Sequence, residues 1–129
     1  MKKKALLIED DRPAGLACVY MLEKQGMDVV HVRRGEDALE AAVRMKPDVI
    51  LVDIRLAGEM DGYAVIDELK NHPLLAPVPV IIVTNYGLLH DIKRGKASGA
   101  KEYLVKSDWS IRQIAEKAAA YAEDGKGGD

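Results

Sequence analysis

Apolar residues along the chain fall into two alternating patterns. Short runs at 5–8, 29–32, 49–52, 78–83 and 103–105 are dominated by Val, Ile and Leu, with no regular polar alternation. Strands covered on both faces read this way, which predicts a parallel sheet between helical layers. The segments between the runs have helical period. After Pro13, the residues Ala14, Ala17, Cys18, Met21 and Leu22 make an apolar stripe that Gly26 closes. Residues 36–45 place Ala38, Leu39, Ala42 and Val43 on one face, and Pro47 stops them. Asp61 is positioned to cap a helix carrying Ala64, Val65, Glu68 and Leu69, halted by Asn71-His72-Pro73. Residues 88–97 form a weaker helix interrupted by Gly95. Ser110 and Gln113 have capping-box spacing, followed by Ile111, Ile114, Ala115, Ala118 and Ala122 at helical intervals. One domain over 1–122 is expected, with 123–129 a charged, glycine-rich tail that frays.

Strict alternation of strand and helix makes this an α/β domain of the doubly wound type. Ligands of such sheets sit beyond the carboxyl ends of the strands. Composition narrows the partners. With 48% apolar residues, disorder is excluded. Cys18 is the single cysteine, so neither a disulfide framework nor a cysteine-rich zinc site is available. A net charge of −2 argues against general nucleic-acid affinity. No apolar run approaches the ~20 residues of a membrane span, and the short run after Met1-Lys-Lys-Lys4 is no signal peptide. A cytoplasmic protein without nucleic-acid or membrane contacts is the expectation. His31, His72 and His90 fall on separate elements, which speaks against a histidine metal cluster.

The residues just past each strand carry the chemistry. The first run delivers Glu9, Asp10 and Asp11, the third Asp53, the fourth Thr84 and the fifth Lys106. A parallel sheet gathers all of these at one edge. Crowded carboxylates repel one another and need a cation. Hard oxygen donors suit Mg²⁺, which takes one or two protein carboxylates plus a phosphate. Lysine supplies a point charge for a phosphoryl oxygen, and a carboxylate can itself accept a phosphoryl group. Asp11 reads as a helix cap rather than a ligand.

The segments LLIEDD (6–11), DVILVDIRL (48–56), MDG (60–62), PVIIVT (79–84) and GAKEYLVK (99–106) occur in order, each at a strand end. Together they make the chain, from Lys4 to Ala122, resemble the receiver domain of two-component response regulators. The resemblance implies a flavodoxin-like (βα)5 three-layer sandwich with strand order 2-1-3-4-5. It implies that Asp53 accepts a phosphoryl group from a histidine kinase or phosphotransfer protein. Mg²⁺ would be held by Asp10, by Glu9 through water, by Asp53 and by the Arg55 backbone carbonyl. Lys106 would hold the acyl-phosphate oxygens. Thr84 would swing toward the phosphoryl group and Tyr103 rotate inward behind it, altering the surface of the fourth helix, fifth strand and fifth helix for a downstream protein. Such a domain catalyses only its own phosphorylation and dephosphorylation.

Several residues depart from that family pattern. Ser107 follows Lys106 where proline is usual, so a cis bond there cannot be assumed. The loop after Asp53, LAGEMDG, is one residue longer than the common form. Asn85 stands where a small residue is typical. Arg55 and Tyr86 occupy positions that tune dephosphorylation, and a bulky Tyr86 predicts a long-lived phosphoryl group. Lys101-Glu102 replaces an acidic pair used by dimerising regulators, which points to a monomer or weak homodimer. Leu16, Val19 and Tyr20 lie off the core stripe of the first helix, and since receivers generally dock their kinase with this helix, the resemblance implies an apolar docking face there. Trp109 reads as an anchor for the last helix, and Lys93, Arg94, Lys96 and Lys101 as a basic surface stretch. Three rival readings are a receiver-like scaffold that is never phosphorylated, a fragment of a larger regulator or hybrid kinase, and a phosphohydrolase. The last lacks the second aspartate that Asp53-Ile54-Arg55 would need. A flavin or nucleotide carrier fails because acids, not glycines, follow the first strand.

Overall fold

The computed structural model describes residues 2–127. The elements follow in the order β1 (Lys4–Ile8), α1 (Arg12–Lys24), β2 (Asp28–Val32), a 3-10 turn (Gly35–Asp37), α2 (Ala38–Met45), β3 (Val49–Val52), α3 (Gly62–Lys70), β4 (Val80–Thr84), α4 (Leu89–Ala97), β5 (Glu102–Val105) and α5 (Ile111–Gly127). All five strands are parallel, in the order β2-β1-β3-β4-β5. The chain therefore reverses its winding direction between β1 and β3, where a doubly wound sheet opens its binding crevice.

Register divides the strand residues between two cores. Ala5 pairs with Val49 and Leu7 with Leu51, and these join Ile81, Val83 and Leu104 beneath α1 and α5. Leu6, Ile8, Ile50, Val52, Val80 and Ile82 point the other way, onto Ala38, Ala42, Val65, Ile66 and Leu69 of α2 and α3. The side-chain period of a strand is two, so a slip of one residue would exchange the two sets.

The two edge strands differ from the expectation of burial on both faces. In β2 no residue is fully buried, and Val30 is 40% exposed. An edge strand lacks a neighbour on one side, so β2 is only partly covered, with Val29 packed on one core and Val32 on the other. Three helical details also change. The first turn of the 36–45 segment is the 3-10 turn, and Val43 faces solvent while Ala38 and Ala42 carry the packing. In α3, Glu68 is exposed and Ile66 takes its place in the core. Gly95 does not interrupt α4. It is buried within it, against the Tyr103 ring.

The caps form as the spacing predicts. Asp11 accepts from Ala14 N and Asp61 from Ala64 N, each at 2.9 Å. Ser110 and Gln113 bond reciprocally, Gln113 N to Ser110 Oγ at 3.1 Å and Ser110 N to Gln113 Oε1 at 2.9 Å. α5 continues through Gly127, so the backbone of 123–127 is helical, and the rest of the expected tail, residues 128–129, lies outside the described residues.

Candidate phosphoacceptor site

Two carboxylates and one ammonium meet at the carboxyl ends of the central strands. Glu9 follows β1 and Asp53 follows β3; they are 5% and 6% exposed. Lys106, just past β5, places Nζ 2.8 Å from Glu9 Oε1 and 3.4 Å from Asp53 Oδ2. Backbone donors hold the remaining oxygens. Asp11 N donates to Glu9 Oε2 at 3.1 Å, and Arg55 N donates to Asp53 Oδ1 at 3.1 Å. Burial pushes the Glu9 carboxyl above its ordinary range, against the pull of Lys106 and with a small further push from Asp53. Burial pulls the Lys106 ammonium down, but its bond to Glu9 and the charge of both carboxylates outweigh that and leave it above its ordinary value. Two buried negative charges share one positive charge, and such an excess calls for a further cation.

The other expected site residues are distributed around this trio. Thr84 ends β4 fully buried, its Oγ1 accepting from Tyr86 N at 3.4 Å and its carbonyl accepting from Lys106 N at 2.7 Å. Tyr103 is half-buried on the α3/α4 side, and its hydroxyl donates to the Tyr86 carbonyl at 2.6 Å. Arg55 lies over the Tyr86 ring, 4.3 Å from its centroid, while Asn85 is exposed. The described residues contain no cis peptide bond, so Lys106–Ser107 is trans.

Asp10 is not drawn into the trio. Its Oδ2 accepts from Ala57 N at 3.0 Å, in the long loop after Asp53. The same loop is held from the other side by Glu36, which accepts from Glu59 N at 3.2 Å and pairs with Arg34 at 3.5 Å. Backbone N–H groups accordingly hold the Glu36 carboxyl below its ordinary range. Among the described residues, no three His, Cys, Asp or Glu side chains are grouped as a metal site. The donor chemistry nonetheless fits Mg²⁺: all the oxygens are hard, and the Glu9–Asp53–Lys106 trio carries an unbalanced negative charge.

Two supporting residues escaped the sequence reading. His31 Nε2 lies 2.8 Å from the Glu9 carbonyl oxygen, to which it must donate, and its ring packs on α1 at Gly15. Arg33 donates to the Asp10 carbonyl at 3.2 Å. Both come from the end of β2, which the strand order sets beside β1. That order was the signal that could have placed them.

On α1, Leu16 and Tyr20 are 60% and 59% exposed, but Val19 is half-buried against the α1/α5 core. The expected docking face is therefore narrower by one residue. Trp109 is half-covered, as an anchor should be, with Lys117 Nζ 4.9 Å from its ring centroid. Glu102 is engaged within its own chain, accepting from Tyr121 Oη at 2.7 Å and pairing with Lys117 at 3.4 Å.

Comparison with known proteins decides the family. The family model described as the response regulator receiver domain matches residues 5–119. The chain belongs to the receiver domain family. It is 37% identical over 102 residues to protein PilH of Pseudomonas aeruginosa, covering 78% of this chain and 84% of that one. It is 31% identical to the polar-differentiation response regulator DivK of Brucella anthropi, covering 96% of this chain and 99% of the relative. Among solved structures, the signal receiver domain of a signal transduction histidine kinase from Syntrophus aciditrophicus superposes with a TM-score of 0.83 at 29% identity, covering 94% of this chain and 90% of that one. Receiver domains are signalling domains that work with histidine kinases or phosphotransfer proteins and with downstream targets. No helix among the described residues is long and apolar enough to cross a membrane.

Proposed function

We propose that this receiver takes a phosphoryl group onto Asp53 from the phosphohistidine of a kinase or phosphotransfer protein. An Asp53 carboxylate oxygen forms the new P–O bond as the P–N bond breaks, and the imidazole leaves with the bonding pair and takes up a proton. The observation that carries the reading is the buried Glu9–Asp53 pair sharing Lys106 at the switch point of the sheet. Lys106 holds the transferred oxygens, and Arg55 N keeps the acceptor carboxylate oriented. Asp53, Asp10, the Arg55 carbonyl and, through water, Glu9 would hold Mg²⁺, which would supply charge neutralisation for the phosphoryl oxygens. Transfer of this kind is mainly positioning and charge neutralisation.

Incubation with acetyl phosphate and Mg²⁺, followed by intact mass and peptide mapping, is expected to show one adduct at Asp53. No adduct, or one located elsewhere, overturns the reading. A second reading, an unphosphorylated scaffold, is favoured by the Asp10–Ala57 bond, which occupies one oxygen of an expected metal ligand. The same experiment decides between them.

Thr84 and Tyr103 form the switch in this proposal. Thr84 reorients its hydroxyl toward the phosphoryl group, and Tyr103 breaks its bond to the Tyr86 carbonyl as it turns inward. The consequence is a changed α4-β5-α5 surface read by a downstream protein, a two-state element biased by a local charge. Glu102 is occupied by Tyr121 and Lys117, which supports a monomer or weak homodimer.

Tyr86, stacked beneath Arg55, is expected to obstruct an attacking water, with Asn85 beside it. Tyr86→Ala should shorten the phosphoryl lifetime by about threefold, a barrier change of about 0.6 kcal/mol. Equal decay rates in the two proteins, followed by intact mass, would remove Tyr86 from the mechanism. For donor docking, the exposed Leu16 and Tyr20 remain, with Val19 supporting them from the core. Leu16→Glu should slow transfer from a phosphohistidine protein and leave acetyl phosphate uptake unchanged; equal slowing of both would indicate a damaged site instead.

A further inference from the structure

Between α1 and α5, on the sheet face opposite Tyr103, lies a cavity of about 220 Å³. Leu7, Cys18, Val83, Trp109 and Ile114 form its walls. Glu9, Asp53 and Lys106 close the end at the strand tips. Ser107 and Asp108, the loop residues that could have filled it, are exposed to solvent. The walls are strongly apolar: burial, with a lesser push from the Glu9 charge, raises the Cys18 thiol to about 11.

Size and charge select the guest. Apolar cavities of ~150 Å³ admit benzene. This one is large enough for a six-membered ring with a short arm. At its polar end two carboxylates face one ammonium, and Lys106 is already shared between them. Without a metal, the net charge of one negative disfavours an incoming anion. An ammonium on the arm would instead find Glu9 and Asp53 together.

We propose that this cavity is a binding site for a small arylalkylamine. The ring lies among Cys18, Val83, Trp109 and Ile114, and the ammonium lies against Glu9 and Asp53. The polar end is shared with the phosphoacceptor site, so guest and Mg²⁺ would compete there, but binding to the unphosphorylated, Mg²⁺-free chain does not require that reading to hold.

Trp109 is the single tryptophan of the chain, so its emission reports the cavity directly. Titration with phenethylamine is expected to change that emission saturably. Phenylacetate and toluene, which keep the ring but replace the ammonium, are each expected to bind about tenfold more weakly or less, a difference of about 1.4 kcal/mol. Cys18→Leu and Ile114→Phe fill the cavity from different walls, and either one, if it melts cooperatively, should weaken phenethylamine by about tenfold or more. The proposal is overturned by an absent or non-saturating response. Equal affinity for the three probes, or unweakened binding in a folded filled variant, overturns it as well. If neither filled variant folds, the ranking of probes on the wild-type chain decides alone.

Discussion

Asp53→Asn is expected to abolish the phosphoryl adduct and, at the same time, to raise the melting temperature. Loss of the adduct follows because an amide is no phosphoryl acceptor. The gain in stability follows from charge. Glu9, Asp53 and Lys106 are the three ionised groups of a buried cluster whose sum is one negative charge. Asparagine brings that sum to zero while leaving the shorter Lys106–Glu9 contact of 2.8 Å and the Arg55 N–H bond in place. Relief of the Glu9–Asp53 repulsion should contribute about 1 kcal/mol, or about 3 °C in a domain of this size. A function-bearing residue that costs stability is the general expectation for active sites.

The difference should depend on pH in a defined direction. Glu9 has a folded-state value above its ordinary one, so its charge opposes folding at neutral pH, and that opposition fades as pH falls through the raised value. The advantage of Asp53→Asn is therefore largest near neutrality and shrinks on acidification. On the alkaline side, Lys106 is raised in the fold, so its contribution is complete below its ordinary value and is lost as pH rises through the folded one. Thermal melts of both proteins across pH check this. A variant that melts below the wild type at neutral pH would show that the Asp53–Lys106 attraction outweighs the repulsion.

Gly62→Ala is expected to lose about 3 kcal/mol of stability, lowering the melting temperature by about 10 °C. A Cβ at this position would fall on the Asp53 carbonyl and 2.6 Å from Ile54 Cα. Both are backbone atoms, so no rotamer change can relieve the contact. Gly62 N also donates to the Ile54 carbonyl at 2.9 Å, which draws the start of α3 onto the turn after Asp53. The substitution must either push α3 away from its core residues Val65, Ile66 and Leu69 or shift the peptide that carries the acceptor. Slower phosphorylation is expected to accompany the loss of stability. A melting temperature within 2–3 °C of the wild type, a change below ~1 kcal/mol, would mean that the loop yields without strain.

Much of the fold was legible because its strands are buried on both faces, which leaves dense Val, Ile and Leu runs. The same rule misread β2, since burial depends on having neighbours and an edge strand has only one. Caps were legible because Asp11, Asp61 and the Ser110–Gln113 pair act within one helical turn. The trio at the site was legible from the ends of β1, β3 and β5. The restraint of Asp10 by Ala57 was not, because it depends on the path of a loop 47 residues away. Nor was His31, whose contact with the Glu9 carbonyl crosses 22 residues. Val19 shows a third cause: off-stripe positions on a helix covered by a neighbouring helix are still partly buried. The cavity near Cys18 follows from side chains that fail to meet, and no pattern of residue types encodes a void.

The sheet separates the two cores, and that separation has an evolutionary consequence. Leu16 and Tyr20 belong to a helix packed on one face, while Tyr103 of β5 and Gly95 of α4 belong to the other. Substitutions on the outer side of α1 therefore leave the packing of Tyr103 untouched, and the reverse holds as well. Residues on the outer side of α1 and those around Tyr103 can drift at different rates, whereas α5, which packs on α1, is tied to both. If α1 docks the donor as proposed, duplicated copies of such a gene could diverge in which protein they hear from while keeping the packing around Tyr103, with the strand-end trio held in common.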